Sequence, residues 1–559
     1  MPTSSARLVP IVFAASLAWA LGCGAPGSAS DGGGTDGETT GTDTGTTGEG
    51  TAGTSGGATD PPKILSFEVK EVPDNPLALE IEVLADRTVT STVTVEPIDA
   101  PADAEPGNVG CPQPAEACAI PLTGLHADAT YHLTLTVEDG AGATAMAEAT
   151  VTVAPLPATL PPLVTTGRSG EPGAWTFFNV MRWLGPGFDA AWGYVLAVDA
   201  AGHPVWVRFL PQSGDVSFAD DGSVVVQVAA ERALVLDRLG RDIAPFVASD
   251  LSPAIDTMHH EILPKEDGTY ATLSTELRTI DGYDDGMGGQ TAYDVVGDVL
   301  VEFDATGAVT WEISLFDVLA DAVHRVRPGF HAPFWDPVYA DVAPSGTTKD
   351  WTHGNALVYS ADGTRVLVSL RTQDWIVTLD RVTGEVLHRL GPEGDFALIE
   401  GDWFYHQHAP ELLPDGALAV YDNGNTRPGT GGAGEPPRYS RVVVYDLDED
   451  AMEATERWSH VAEDGGYAPF LGDVDVRPDG SVLVTDGGLV GDPDRAPNDP
   501  ANPKFARISE VTTDGTVRFR LDVGGPDAGT SFSVYRAERV AGGYDFAASS
   551  SRSTRRPRQ

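Results

Sequence analysis

Over residues 63–153, apolar and polar positions alternate in short runs. Ile64-Leu65-Ser66-Phe67-Glu68-Val69, Leu79-Glu80-Ile81-Glu82-Val83, Val89-Thr90-Ser91-Thr92-Val93-Thr94-Val95 and Tyr131-His132-Leu133-Thr134-Leu135-Thr136-Val137 either alternate or are rich in β-branched residues. A period of two predicts strands with one face buried. The spacing of the runs, and the turn at Glu138-Asp139-Gly140, predict a small immunoglobulin-like or fibronectin-type β-sandwich. Four prolines between Ala154 and Pro162 mark a linker, 154–163.

From 164 to 545 the pattern becomes a repeat. A strand ends in Asp, turns through Gly and resumes with a bulky residue four places after the Gly. The clearest copy is Val198-Asp199-Ala200-Ala201-Gly202-His203-Pro204-Val205-Trp206, and others run through Asp304, Gly307 and Trp311, through Asp380, Gly384 and His388, and through Asp514, Gly515 and Phe519. Between them stand Asp-Gly hairpins at Asp221-Gly222, Asp267-Gly268, Asp362-Gly363, Asp415-Gly416 and Asp479-Gly480. About six such pairs, each spanning about 60 residues, predict a six-bladed β-propeller. The expected fold class is therefore all-β: a six-bladed propeller preceded by a small sandwich. A propeller gathers loops from every blade at one mouth, so residues far apart in sequence can meet there.

Residues 1–22 read as a lipoprotein signal peptide. Arg7 precedes an apolar run, Leu8 to Leu21, too short to span a bilayer but suited to a signal-peptide core. It ends Ala20-Leu21-Gly22-Cys23, which resembles a bacterial lipobox with Cys23 as the lipidated residue. Residues 23–62 are dominated by Gly, Thr, Ser, Asp and Glu and predict a disordered tether. Residues 546–559 form a basic, disordered tail. The expected location is that of an exported bacterial lipoprotein, periplasmic or outer-membrane-anchored, meeting the membrane by its lipid anchor alone. In an oxidising compartment Cys111 and Cys118 are expected to form a local disulfide.

Charge narrows the partners. The 559-residue chain has 82 Asp and Glu against 35 Lys and Arg, a formal net charge of −47, which excludes a non-specific nucleic-acid binder. Any anionic ligand needs a local cationic pocket. No Gly-x-x-x-x-Gly-Lys-Ser/Thr loop occurs, so no nucleotide donor is indicated.

Five of the twelve histidines fall in three motifs within the repeat. They are Met258-His259-His260-Glu261, Asp350-Trp351-Thr352-His353-Gly354-Asn355 and Trp403-Phe404-Tyr405-His406-Gln407-His408, the last followed by Tyr421-Asp422-Asn423-Gly424. Arg371 closes a strand after the second motif. Each motif precedes an alternating strand, so each is expected at the equivalent rim. His406 and His408, two apart, are expected to face the same way. A three-histidine metal site is disfavoured by an arginine in the same cluster, and neither metal nor cofactor is expected.

These ordered motifs resemble the bacterial arylsulfate sulfotransferase family over roughly 164–545. The matching pieces are His-His-Glu (259–261), Trp-Thr-His-Gly-Asn (351–355), Ser-Leu-Arg (369–371), Gln-His (407–408), Tyr-Asp-Asn-Gly (421–424) and Tyr-Arg-Ala-Glu-Arg (535–539). The resemblance implies sulfuryl transfer from an aryl sulfate to a phenol, without a nucleotide donor, by a ping-pong route through a sulfohistidine. It places the nucleophile at His408, an oxyanion-binding pair at His353 and Arg371, and a general acid at His260, next to Glu261, with His259 as the other candidate of that pair. His406, Asn355 and Asp422 are possible supports, and the acceptor that orients His408 is either a backbone carbonyl or a carboxylate such as Asp422. Trp351, Trp375, Trp403, Phe404 and Tyr405 are candidates to wall an aryl slot. Some family members carry a disulfide near the nucleophile, and this propeller region has no Cys. A homodimer is left open. The competing reading is a non-catalytic lipoprotein propeller serving as a binding scaffold.

Overall fold

A computed structural model describes residues 60–544 apart from 185–188, 220, 285–289, 326, 328–333, 344–347, 498, 500 and 527–529. The leader, Cys23, almost all of the tether and the basic tail therefore lie outside the described residues. Among the described residues, no helix is long and apolar enough to cross a membrane.

The amino-terminal unit is organised by one long strand, Asn75–Asp99. Its first half pairs with Ile64–Val72 and with Ala115–Leu122, for example Leu79 opposite Leu122. Its second half pairs with Thr130–Asp139, with Val93 opposite Leu135 and Val95 opposite Leu133. Pairing with the Ala115–Leu122 strand jumps between Leu84 and Val89, where the strand passes from one set of partners to the other. The alternation seen in the sequence decides the inner face: Leu79, Ile81, Val83, Val93, Val95, Leu133 and Leu135 are all buried in one cluster. Cys111 and Cys118 are joined, with an S–S distance of 2.02 Å.

Six further sheets follow in chain order. Their first strands are packed in sequence: Val216–Phe218 on His259–Pro264, then Gly354–Tyr359, His408–Leu412 and Asp473–Val476, which meets Ala537–Ala541. The last strand named belongs to the sheet that opens the series, because Ala537–Ala541 pairs with Ala174–Leu184. In the same way Leu163–Gly167, which begins inside the expected linker, completes the final sheet by pairing with Val517–Val523. The two chain ends of the repeat are thus each bonded into a sheet made of distant sequence, and the arrangement is propeller-like.

The repeat has a chemical reason. Asp199 accepts hydrogen bonds from the backbone N–H groups of Ala201 and His203 through one oxygen, both at 2.9 Å, and Asp237 and Asp304 do the same in their own turns. Gly202 and Gly307 follow with φ of 87° and 85°, a conformation that favours glycine. The bulky residue four places later then reaches the next sheet. Trp206 Nε1 donates to the Arg238 carbonyl and Trp311 Nε1 to the Arg381 carbonyl, each at 2.9 Å.

Candidate functional site

Three successive first strands begin with the same irregularity. At His259–Pro264 the pairing jumps between His259 and Ile262, and His260 has φ of 58°. At Gly354–Tyr359 it jumps between Gly354 and Ala356, and His353 just before it has φ of 47°. At His408–Leu412 it jumps between His408 and Glu411, with Ala409 at φ of 43°. A left-handed backbone at a non-glycine residue costs on the order of 1–3 kcal/mol and recurs where side chains must be aimed. Here the bulges bring three motifs together. The His260 and His353 rings lie 4.9 Å apart, and Tyr535 closes on His260 at 5.9 Å. Arg371 and His408 join them: the imidazoles of His353 and His408 act on His260, and the Arg371 guanidinium acts on His408.

Each ring is held by its own partner. Nδ1 of His408 is 2.7 Å from Oδ1 of Asn423, whose Nδ2 donates to the carbonyls of Ala468 and Leu471, both at 2.7 Å. The two carbonyls fix the amide so that its oxygen faces His408, which puts the proton on Nδ1 and leaves Nε2 bare. Burial, the Arg371 charge and the neighbouring His353 and Arg536 hold the His408 imidazole well below its ordinary pKa, the Asn423 bond notwithstanding. His408 is therefore neutral at neutral pH.

His353 Nδ1 faces Oδ2 of Asp350 at 2.6 Å, while Oδ1 of Asp350 accepts from Trp335 Nε1 at 3.0 Å. A carboxylate accepts only, so His353 carries its proton on Nδ1. Arg371 is 4% exposed, donates from Nη2 to the Pro469 carbonyl at 2.9 Å, and binds the His353 carbonyl through its backbone N–H. Burial lowers its pKa to about 10, with Asp350 and Asp374 opposing the fall, so it stays a cation.

His259 and His260 act as a pair. Their Nδ1 atoms are 2.7 Å apart, and His259 Nε2 lies 3.1 Å from Oδ1 of Asp298. Burial works against the Asp298 charge, yet His259, Thr352 and the Gly354 N–H hold its carboxyl below the usual range. His259 Nε2–H faces the Ser274 carbonyl at 3.4 Å as well as the Asp298 carboxylate, and both only accept, so Nδ1 of His259 accepts from Nδ1–H of His260. That leaves Nε2 of His260 as a bare base at the end of a relay to Asp298. Burial first, then His259, His353, His408 and Arg536, keep His260 neutral, well below the ordinary imidazole pKa. His260 alone of the three aimed rings retains intermediate exposure.

Several expected roles fall elsewhere. Asp422 does not orient His408: its carboxylate takes Arg427 and Arg441 at 2.5 and 2.9 Å and the Tyr405 N–H. Asn423, one residue on, does that work. His406 does not share the face of His408. It precedes the strand with φ of 55° and bonds Asp374 at 3.0 Å, which in turn pairs with Arg327. Glu261 turns away from His260 to Arg536, which also bonds Asp215. Asn355 is fully buried and ties sheets together, donating to the Gln407 carbonyl while its own carbonyl accepts from Tyr535 and Arg536. Trp351 stacks on Phe316, Trp375 lies under Arg325, and Trp403 and Phe404 pack on Tyr445 in a sheet core. Among the described residues, the aromatic rings beside the imidazoles are, besides Tyr535, Phe334, 4.7 Å from His353, and Trp335, 4.8 Å from His259. No periodicity announced these two, because they stand in the long insertion between Val309–Ser314 and Thr348–Asp350.

An all-β, propeller-like protein with a buried arginine and three imidazoles drawn from successive sheets is the class these observations define. The chain belongs to the arylsulfotransferase (ASST) family, whose model matches residues 181–536. It is 24% identical over 182 residues to the arylsulfate sulfotransferase AssT of Escherichia coli O6:H1, a match covering 28% of this chain and 30% of that protein. It is 22% identical over 241 residues to AssT of Lelliottia amnigena, covering 35% and 40%. These matches span less than half the length of either relative. Among solved structures, the periplasmic gluconolactonase PpgL of Pseudomonas aeruginosa is similar with a TM-score of 0.33 and 14% identity, over 65% of this chain and 100% of that one. The Cps50 (Swd1) β-propeller domain of Myceliophteria thermophila has a TM-score of 0.30 and 11% identity over the same shares.

Proposed function

We propose that this chain is an exported, lipid-anchored arylsulfate sulfotransferase. It moves a sulfuryl group from an aryl sulfate to a phenol through sulfo-His408, with no nucleotide donor. We read the six sheets as six blades and the amino-terminal unit as an immunoglobulin-like domain that stands between the tether and the catalytic body. The observation that carries the reading is the bare Nε2 of a neutral His408 beside the Arg371 cation. That pairing suits attack on a sulfur atom whose three outer oxygens carry the negative charge.

The donor's sulfate oxygens lie against Arg371, a planar fork of permanent charge, and His353 donates to them from Nε2 when its ring carries a second proton, its Nδ1–H staying on Asp350. By analogy with phosphoryl transfer the transition state is loose and in line, so positioning and charge stabilisation supply most of the catalysis. The N–S bond to His408 Nε2 forms as the S–O bond to the phenol breaks, and the electron pair leaves as phenoxide. A proton taken up from solvent on His260 Nε2 as the anionic donor binds, the resulting imidazolium backed by His259 and Asp298, neutralises it. The acceptor phenol then enters, gives its proton to His260 Nε2 and takes the sulfuryl group, which restores His408. Phe334, half-buried beside His353, offers apolar surface for the aryl ring, with Trp335 packed behind it.

Incubation with a chromogenic aryl sulfate and a phenol tests this directly. Wild type should turn over with parallel double-reciprocal lines and His408→Ala should not. Mass spectrometry of the protein quenched with donor alone should find a single sulfated histidine, at 408. Equal activity in His408→Ala rejects the assignment, and failure of every phenol and sulfate favours the binding scaffold.

A further inference from the structure

A second cluster of ligating side chains lies at the join between the amino-terminal unit and the first propeller-like sheet. His126 comes from the segment before Thr130–Asp139, and Asp199 and His203 from the turn between Asp189–Val198 and Pro204–Leu210. Oδ2 of Asp199 is 3.1 Å from His126 Nε2 and 3.4 Å from His203 Nδ1. One ligand atom from each of the three residues lies within 4.8 Å of the other two. A tetrahedral zinc ion with bonds of about 2.0–2.2 Å has ligand–ligand edges of about 3.3–3.6 Å, close to these spacings.

The surroundings are built for a ligand set. Oδ1 of Asp199 is spent on the turn N–H groups, as in the sister turns at Asp237 and Asp304, so Oδ2 is the oxygen turned toward the two imidazoles. The sister turns carry Arg241 and Ala308 where this one carries His203. His126 Nε2–H donates to Oδ2 of Asp199 while Nδ1 accepts from the Tyr131 hydroxyl at 2.9 Å; a cation on Nε2 displaces that proton, and Nδ1–H then donates to the Tyr131 oxygen. Asp103 completes the group: Oδ1 is 3.8 Å from His203 Nδ1, and its other oxygen accepts from Arg168.

We propose that His126, Asp199 and His203, with Asp103 or a water as fourth ligand, form a divalent metal site that takes zinc and staples the amino-terminal unit to the propeller-like body. Two imidazoles with carboxylate oxygen suit zinc rather than calcium or magnesium, which prefer all-oxygen sets. None of these residues belongs to the imidazole cluster around His408, so the site is structural and separate from sulfuryl transfer.

The test is titration of the chelator-stripped full chain with ZnCl₂ by calorimetry, alongside thermal unfolding. Wild type should bind one equivalent with at least micromolar affinity, and zinc should raise its Tm. The His203 side chain is 44% exposed, so His203→Ala should fold with the Tm of the stripped wild type. It should lose affinity at least tenfold and show no zinc-dependent rise, with aryl sulfate turnover unchanged. Cobalt bound to wild type should give visible bands of tetrahedral intensity, absent in the variant. If His203→Ala folds poorly, His203→Gln is read out the same way. No zinc uptake by wild type, or equal uptake by wild type and variant, overturns the site.

Discussion

Asn423 holds His408 in one tautomer: Oδ1 of the amide meets Nδ1 of the ring at 2.7 Å, and two backbone carbonyls prevent the amide from turning over. A neutral acceptor orients the ring without drawing a second proton onto it. A carboxylate in the same place would favour the imidazolium.

That difference is measurable. Asn423→Ala should lower kcat on the order of 10²-fold with a smaller change in KM, because the ring loses its tautomer rather than its substrate contacts. Asn423→Asp should fold and retain activity at high pH, but the acid limb of its pH–rate profile should move to higher pH. An unmoved limb would show that residue 423 does not set the charge of His408.

In the proposed reaction the Asp298 relay serves the departing and arriving phenols. Asp298→Asn should slow sulfation of His408 about tenfold or more with poorly leaving phenols and much less with nitrophenyl sulfate, which leaves without a proton. A uniform loss across leaving groups, measured by single-turnover kinetics, would indicate only a structural contribution from Asp298.

Arg371 differs from a point charge. Arg371→Lys should fall by about 10²-fold in kcat/KM despite keeping a cation, since an ammonium cannot present a planar pair of donors. Arg371→Ala should fall further, and circular dichroism should show both variants folded.

Stability should decline on the acid side through His408 and His260. Both imidazoles are held well below their ordinary pKa by burial in the folded chain. In the unfolded chain they titrate near pH 6.5. The unfolded state therefore binds more protons as pH drops below that value, and folding stability falls with it, while above it the penalty is absent. Tm measured from pH 7.5 to 5 should drop less steeply in a His260→Asn, His408→Asn double variant.

The anionic donor approaches a chain of formal net charge −47. Added salt screens the repulsion, so kcat/KM for an aryl sulfate should rise with ionic strength up to about 0.15 M. A fall would mean that local attraction at Arg371 governs encounter.

The alternating runs were enough to place the amino-terminal strands, because a period of two leaves only one face to bury, and Leu79, Ile81 and Val83 took it. The Asp-x-x-Gly turns were equally legible, since one carboxylate oxygen and one left-handed glycine make the turn from purely local atoms. The histidine motifs and Arg371 could be picked out for the same reason: their residue types and order are written in the chain.

Their partners could not be. Asp422 and Asn423 are neighbours in sequence, and which of them meets His408 depends on a bulge in one strand and on carbonyls at Ala468 and Leu471 in the next sheet. His406 was expected beside His408 because strand alternation was extended one turn too far, into a residue whose positive φ sends its ring to Asp374. Phe334 and Trp335 reach the imidazoles from an insertion without periodicity, and His126 reaches Asp199 from a loop of a different sheet, 73 residues away in sequence. Local chemistry determined the strands, the turns and the candidate residues. Long-range packing alone decided which side chains share a hydrogen bond, because a hydrogen bond is fixed to within a few tenths of an ångström and no period in the sequence carries that information.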